Sequence, residues 1–241
     1  MCGTCGCADE GDSRTIVLQQ KVLAKNDELA DRNRAFLADC GAVMVNLMSS
    51  PGAGKTTLLE SMAGVFSELP QVSVIEGDQE TALDADRIEA AGYAVVQINT
   101  GAGCHLDADM VATALDELDP QPGSIVLVEN VGNLVCPALF DLGENARVVL
   151  ASVTEGGDKP LKYPHMFRQA DLVLVTKIDL LPYVDFDLEL YAADVRRLNA
   201  RAEVLTVSAR TGEGMQGWCG WLRAAAAAGG RERLLSRPGQ G

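Results

Sequence analysis

The chain has 241 residues and a formal net charge of −14 at pH 7. This length suits one substantial α/β domain with short appendages, and the 47% of apolar residues is an ordinary globular share that can bury a core. The acidic charge argues against a general binder of nucleic acids or anionic membranes, because both of those partners need a basic surface. No apolar run reaches about 18 residues, so we expect no membrane span.

The first segment, residues 1–13, is small, polar and rich in cysteine. It lacks the basic region and apolar core of a secretory signal, so we expect a cytoplasmic protein whose seven cysteines are thiols or metal ligands. Cys2, Cys5 and Cys7 form a C-x-x-C-x-C pattern that can wrap one soft or borderline metal ion, with the α-amine as a fourth ligand. The alternative is a solvated tail with incidental cysteines. We expect the segment to be flexible without a ligand, because it cannot form a core.

A long helix and then a layered α/β domain are predicted to follow. Residues 14–38 mix spaced apolar positions with charged ones, which indicates a helix that packs on the domain or on a partner. Residues 39–230 form the predicted domain, and residues 231–241 form a polar tail that we expect to fray.

Within the domain, short apolar runs alternate with helical segments. Strands are predicted at 43–48, 72–77, 94–98, 124–130, 147–152, 171–176 and 203–207. Helices are predicted at 55–68, 81–91, 107–118, 160–169, 187–199 and 213–228. This alternation predicts a mostly parallel sheet of about seven strands with helices on both faces, whose ligands bind beyond the carboxyl ends of the strands.

The first predicted strand runs into a phosphate-binding loop, so the fold class is predicted to be an α/β P-loop NTPase. The stretch from Ser49 to Thr57 lies between a strand and a helix and departs from G-x-x-x-x-G-K-[ST] only at its first position. Backbone N–H groups and the helix N-terminus surround the phosphate oxygens, Lys55 reaches the β- and γ-phosphates, and the Thr56 hydroxyl binds Mg²⁺. The nucleotide-binding residues predicted in this loop are Gly52, Ala53, Gly54, Lys55, Thr56 and Thr57.

Two carboxylates at strand ends complete the predicted magnesium site. Glu129 precedes Asn-Val-Gly, a pattern similar to Asp-x-x-Gly with Glu in place of Asp, and it can bind the ion directly or through water. Asp78 follows the second strand and can reach the ion or position the attacking water. We therefore predict that Thr56, Asp78 and Glu129 bind magnesium, and that Lys55, Asp78 and Glu129 are catalytic. The alternative for either carboxylate is a solvated strand end.

The stretch Thr-Lys-Ile-Asp after the sixth strand predicts a guanine site. It resembles the Asn-Lys-x-Asp motif, whose aspartate accepts two N–H bonds that adenine cannot donate, so Lys177 and Asp179 are predicted to bind the base. Ser208 and Ala209 resemble the further loop that supports the base through backbone N–H groups. Thr176 replaces an asparagine that ties this loop to the phosphate loop, and we expect its hydroxyl to replace part of that tie. The alternative role for Asp179 is a helix N-cap.

Cys104, His105 and Cys136 predict a second metal site. The first two lie in a Gly-rich loop after the third strand, and Cys136 lies in the loop after the fourth. Both loops belong to the phosphate edge, so two thiolates and one imidazole can converge, a donor set that suits Zn²⁺ or Ni²⁺ better than Mg²⁺. Three ligands leave one position open for water or for a second subunit. The alternative is a core cysteine with an unrelated histidine.

Together these motifs resemble the hydrogenase nickel-incorporation accessory GTPases, the HypB family of SIMIBI-class P-loop GTPases. The stretches Gly-Cys-His-Leu-Asp and Glu-Asn-Val-Gly-Asn-Leu-Val-Cys-Pro are specific to that family rather than to GTPases in general. The resemblance implies GTP hydrolysis coupled to nickel delivery to the large subunit during [NiFe]-hydrogenase maturation, with a zinc-binding companion metallochaperone as partner. No arginine finger is identifiable in the sequence, so we expect slow intrinsic turnover.

The resemblance also implies roles for the two metal sites. It implies a tight nickel site at Cys2, Cys5 and Cys7, and a weaker nickel or zinc site at the loop cluster, near a GTP-dependent homodimer interface. Two other hypotheses remain. A urease- or cobalamin-type metallochaperone GTPase would share the core, although the C-x-x-C-x-C pattern favours the hydrogenase client. A nickel-storage or nickel-sensing protein would carry a vestigial phosphate loop, and the intact Gly-Lys-Thr argues against it.

Overall fold

The computed structural model describes residues 10–63, 69–79, 82–101 and 103–229, with side chains from residue 21. Cys2, Cys5 and Cys7 and the predicted tail 231–241 lie outside the described residues. The strands are β1 Val43–Ser49, β2 Val72–Asp78, β3 Ala94–Asn99, β4 Ile125–Glu129, β5 Ala146–Ser152, β6 Leu172–Thr176 and β7 Glu203–Thr206. The α-helices are α1 Glu10–Cys40, α2 Lys55–Met62, α3 Leu83–Ala90, α4 Ala108–Leu118, α5 Lys159–Lys162, α6 Pro164–Arg168, α7 Leu188–Leu198 and α8 Met215–Gly229.

All seven strands form one parallel sheet in the order β3-β2-β4-β1-β5-β6-β7. The predicted fold class is confirmed, and β1, with its phosphate loop, is the central strand. Every residue of β1, β4, β5 and β6 is buried, because helices cover both faces of a parallel sheet. Because the strands are parallel, the loops that follow them meet at one edge of the sheet, and the predicted site residues lie there.

The side chains of β1 divide the core by their alternation. Val45 and Leu47 pack with Trp218 of α8 on one face of the sheet. Met44 packs near α1 and α4, and Met48 packs beside α6 and α7, on the other face. Successive strand residues point to opposite faces, so one apolar strand serves both layers. Among the described helices, none is both long and apolar enough to cross a membrane.

Three predicted helices differ from the structure by more than two residues. The first helix begins at Glu10, four residues before the predicted start at 14. The helix predicted at 55–68 ends at Met62, because Ala63 has an extended backbone with φ −63° and ψ 130°. The single helix predicted at 160–169 is wrong, since two short helices meet at Tyr163. Pro164 disfavours helical geometry at the residue before it, and Tyr163 has φ −125° and ψ 54°.

Candidate nucleotide and metal site

The phosphate loop adopts an open backbone before α2. Gly52 and Gly54 have φ of 75° and 100°, values that a side chain disfavours, and Gly54 is the N-cap of the helix. Lys55 is buried and its Nζ donates to Ser49 Oγ at 2.9 Å, while burial lowers the pKa of the Lys55 ammonium. A buried cation with one neutral partner at a helix N-terminus is well placed for an anionic ligand.

The predicted magnesium residues Thr56 and Glu129 lie in direct contact. Thr56 Oγ1 donates to Glu129 Oε1 at 2.8 Å. The other carboxylate oxygen of Glu129 is buried and has no hydrogen-bond partner among the described residues. Burial raises the pKa of Glu129 to about 7. An orphaned carboxylate oxygen beside a hydroxyl fits an oxygen-seeking cation such as Mg²⁺, which would supply the missing partner. Asp78 is the last residue of β2, the strand that pairs with β4 and therefore lies beside Glu129.

Glu76 is a carboxylate of this edge that the sequence analysis did not select. It lies opposite Glu129 in the pairing of β2 with β4, and it is 2% exposed. Its Oε2 has no partner among the described residues. Burial, and then the negative charge of Glu129, raise the pKa of Glu76 to about 8. A glutamate inside the apolar run Val-Ser-Val-Ile-Glu was the signal that would have identified it.

The predicted base site forms a cleft between the phosphate loop and the loops after β6 and β7, and Asp179 and Ala209 are among its lining residues. Asp179 Oδ1 accepts a hydrogen bond from Ser208 Oγ at 2.7 Å. Lys177 has a left-handed backbone, with φ 60°, and its Nζ donates to the Gly52 carbonyl at 2.6 Å. The Lys177 side chain therefore contacts the phosphate loop, and the Ser208 hydroxyl orients the Asp179 carboxylate.

Thr176 ties the base loop to the phosphate loop through its hydroxyl. Its Oγ1 donates to the Ala53 carbonyl oxygen at 2.7 Å, and the side chain is buried. The tie expected from the sequence is therefore present. Arg210 lines the same cleft, although the sequence analysis did not assign it a role.

Glu155 makes a further contact with the phosphate loop, which the sequence did not predict. Ser50 Oγ donates to Glu155 Oε2, and Glu155 forms an ion pair with Lys159 at 3.7 Å. Glu155 follows β5, which pairs with β1, so this contact holds the phosphate loop from the side of β5. A Glu and a Lys four residues apart in a Gly-rich stretch gave no specific signal for this contact in the sequence.

The structure brings Cys104, His105 and Cys136 together. Their ligand atoms lie within 4.8 Å of one another, with 2.8 Å between the two Sγ atoms and 3.6 Å from Cys104 Sγ to His105 Nδ1. The His105 ring stacks on Phe140 at 3.8 Å between centroids, and burial lowers the pKa of the imidazole. The hydrogen bond with Cys104 raises the pKa of the Cys136 thiol. A neutral imidazole with two sulfurs suits a transition metal such as nickel or zinc.

The cluster contacts the segments after β2 and β4, and the second of these segments lies against the phosphate loop. A Cβ added to Gly132 would lie 2.9 Å from Pro51 Cα, so the segment from Glu129 to Cys136 is in close contact with the loop at this point. Asn133 Nδ2 donates to the Cys104 carbonyl at 3.4 Å, and Gln79 Nε2 donates to the Gly103 carbonyl at 3.1 Å. The cluster is therefore continuous with the segments that surround the nucleotide site.

Residues 43–206 match the family model described as CobW/HypB/UreG, nucleotide-binding domain. The chain is 54% identical over 210 residues to the hydrogenase maturation factor HypB of Azotobacter vinelandii, an overlap that covers 87% of this chain and 69% of that one. The chain belongs to the HypB family of hydrogenase maturation factors.

Two solved HypB structures have the same fold. HypB from Archaeoglobus fulgidus is 40% identical with a TM-score of 0.79, and the match covers 85% of this chain and 100% of that one. HypB from Helicobacter pylori, solved in complex with nickel, is 35% identical with a TM-score of 0.81, and the match covers 88% and 100%. The P-loop domain described above is therefore the HypB nucleotide-binding domain.

Proposed function

We propose that this protein is a metal-binding GTPase, a nickel metallochaperone that delivers nickel to the large subunit of [NiFe]-hydrogenase. The observation that carries the proposal is the convergence of Cys104, His105 and Cys136 beside a phosphate loop. Membership of the HypB family supports the client, and the nickel complex of the Helicobacter pylori relative supports the cargo.

In this proposal GTP binds across the phosphate loop and the base cleft. Lys55 holds the β- and γ-phosphates, and Asp179, oriented by Ser208, accepts the guanine N–H groups. Thr56, Asp78 and Glu129 hold Mg²⁺, which neutralises phosphate charge when bound. Asp78 also positions the attacking water, and turnover is slow because no arginine finger is predicted.

The proposed coupling between nucleotide and metal follows the segment from Glu129 to Cys136. The close approach of Gly132 to Pro51 makes this segment sensitive to the position of the phosphate loop. Asn133 carries a displacement to the loop of Cys104, and Gln79 carries one from the loop after β2. Nucleotide state then changes metal geometry, and binding reciprocity requires metal to change nucleotide affinity by the same factor.

The remaining parts of the proposal concern the metals, the partners and the setting. Cys2, Cys5 and Cys7 form the tight nickel site, and the loop cluster holds nickel or zinc. A zinc-binding companion metallochaperone exchanges metal with the protein, and GTP promotes a homodimer. The setting is the cytoplasm, with neither nucleic acid nor membrane as a partner.

The test separates an enzyme from a nucleotide-independent binder. Purified protein with GTP and Mg²⁺ should release phosphate, and Lys55→Ala should abolish release, whereas Lys162→Ala, at an exposed lysine paired with Asp158, should not. Nickel transfer to apo large subunit is measured in the same samples. Phosphate release by Lys55→Ala at the wild-type rate, or nickel transfer that ignores GTP, would contradict the proposal.

A further inference from the structure

Helix α1 buries two asparagine side chains against the rest of the protein. Its buried face consists of Asn26, Ala30, Asn33 and Leu37, spaced as one side of a helix. Asn26 is 5% exposed and Asn33 is 3% exposed. A buried amide costs free energy unless its hydrogen bonds are formed, so the partners of these two side chains indicate what the helix holds.

Both asparagine side chains form hydrogen bonds with Ala108, the first residue of α4. Asn26 Oδ1 accepts from the Ala108 backbone N–H at 2.9 Å, and Asn33 Nδ2 donates to the Ala108 carbonyl at 2.8 Å. Ala108 comes three residues after His105 in the chain. The loop that carries Cys104 and His105 is therefore fixed at its end by α1.

The same two side chains also form hydrogen bonds with the segment that follows Cys136. Asn26 Nδ2 donates to the Asp141 carbonyl at 2.8 Å, and Asn33 Nδ2 donates to the Leu142 carbonyl at 2.9 Å. Arg34 Nη2 adds an ion pair by donating to both oxygens of the Asp141 carboxylate, each at 2.8 Å. This geometry fixes the second ligand-bearing segment to the same helix face.

Two further contacts tighten this second attachment. A Cβ on Gly143 would collide with the Ala30 carbonyl oxygen, so the segment lies directly on the helix backbone. Phe140, which stacks on the His105 ring, directly precedes Asp141. The helix, the second segment and the imidazole therefore form a continuous packed arrangement.

We propose that Asn26 and Asn33 are positioning residues that set the geometry of the Cys104–His105–Cys136 cluster. This inference rests on the metal site of the proposed function. The ligands come from loops after two different strands, and a metal site needs donor atoms placed to within a few tenths of an ångström. One helix that hydrogen-bonds both loops fixes their separation, so loosening α1 changes the cluster without touching a ligand.

The experiment uses the full chain with Cys2, Cys5 and Cys7 changed to Ser, so that only the loop cluster reports. Co²⁺ is titrated, and the thiolate-to-cobalt charge-transfer band is recorded together with the binding constant. Asn33→Asp keeps the shape but removes the amide donor and puts a carboxyl group against two carbonyls. We expect Co²⁺ affinity to fall about 2- to 30-fold, with an altered charge-transfer intensity.

Two variants separate positioning from general stability. Asn199 Nδ2 donates to the carbonyls of Phe167, Arg168 and Ala170, the same bracing chemistry at a different part of the fold. Asn199→Asp should lower the melting temperature and leave the cobalt spectrum unchanged. Arg34→Gln removes the ion pair with Asp141, in which each side chain is 22% exposed, and leaves both asparagine side chains in place. It should shift the spectrum in the same direction as Asn33→Asp, so it decides the question if Asn33→Asp does not fold.

The outcomes distinguish this inference from the function beneath it. A cobalt band in the parent protein that weakens in Asn33→Asp or Arg34→Gln, with GTP affinity retained, supports the positioning role. The same band and affinity in parent and variants overturn the positioning role alone. A parent that shows no thiolate–cobalt band overturns the proposed metal site, and this inference with it.

Discussion

At the residue scale, Thr176 illustrates how one hydroxyl replaces a larger side chain. The loop that carries Asp179 must stay fixed against the phosphate loop if the carboxylate is to meet a base. The hydrogen bond from Thr176 to Ala53 makes that connection with a single donor. Because the acceptor is a main-chain carbonyl, the tie does not depend on which residue stands at position 53.

We expect Thr176→Val to weaken GTP binding about 5- to 10-fold, because a buried hydrogen bond contributes about 1 kcal/mol and the change nearly preserves shape. Thr176→Asn should retain or increase affinity. Isothermal titration with GTP measures both. The control is Thr113→Val, which removes a hydroxyl bonded to Asp109 on the exposed side of α4. Equal affinities for wild type and Thr176→Val would show that the tie contributes nothing to base binding.

Glu76 and Glu129 make the edge of the sheet sensitive to pH. Burial raises the pKa of Glu76 to about 8 from an ordinary value of 4.5. Between these values the folded protein keeps a proton that the unfolded chain releases. Stability contributed by this group is therefore full below about pH 4.5 and declines as pH rises toward 8, the opposite of an ion-paired carboxylate.

We expect Glu76→Gln to stabilise the nucleotide-free and magnesium-free protein at pH 8 by about 1–3 kcal/mol, because the buried carboxyl must then either ionise away from water or keep a proton that the unfolded chain releases. At pH 5 the variant and wild type should differ little, because Glu76 is then protonated. Urea unfolding at both pH values measures the difference, and Glu213→Gln, at an exposed loop position, is the control. A Glu76→Gln effect of equal size at pH 5 and pH 8 would exclude titration as its cause.

At the element scale, the segment from Glu129 to Cys136 joins the two halves of the site. It begins with a magnesium candidate, passes over Pro51 at Gly132 and ends at a metal-cluster thiol. The absence of a Cβ at Gly132 is what allows the close approach. The segment therefore has little freedom to move independently of the phosphate loop.

We expect Gly132→Ala to lower both GTP affinity and Co²⁺ affinity of the loop cluster about tenfold, because a Cβ 2.9 Å from Pro51 Cα forces the two segments apart. Both constants come from direct titrations. Gly157→Ala is the matched control, since nothing lies within 4 Å of its added Cβ. If Gly132→Ala changed GTP affinity alone, the segment would not connect the two sites.

At the scale of the whole molecule, the order β3-β2-β4-β1-β5-β6-β7 gathers the site. The phosphate loop follows the central strand, and the base cleft lies toward β6 and β7. The metal-cluster loops follow β3 and β4, on the other side. The proposed nucleotide ligands and the proposed ligands of the metal cluster therefore share an edge without sharing residues, and thermodynamic coupling requires two such distinct sites.

We expect Ni²⁺ at the loop cluster to change the dissociation constant of a non-hydrolysable GTP analogue, and the analogue to change that of Ni²⁺ by an equal factor, typically about 5- to 150-fold. The amino-terminal cysteines are changed to Ser for these titrations. Cys104→Ser with Cys136→Ser should abolish the mutual effect and keep analogue binding. Unchanged analogue affinity at saturating Ni²⁺ would remove the coupling from the proposal.

The order of elements and the chemistry at each strand end could be read from the amino-acid sequence. Gly-Lys-Thr, Thr-Lys-Ile-Asp and the Cys-His pair are local patterns whose spacing carries their meaning, so they were visible without coordinates. The seven parallel strands followed from apolar runs separated by helical segments. The break at Pro164 was also a local signal, since proline disfavours helical geometry at the residue before it.

Which distant residues lie close together could be learned only from the folded chain. Glu76 became significant because strand pairing sets it opposite Glu129, and Glu155 because β5 lies beside β1. Asn26 and Asn33 became significant because their partners lie 75 to 115 residues away in the chain. No pattern in the sequence identifies the hydrogen-bond partner of a buried polar side chain, because the packing of whole helices and strands sets the distance between donor and acceptor.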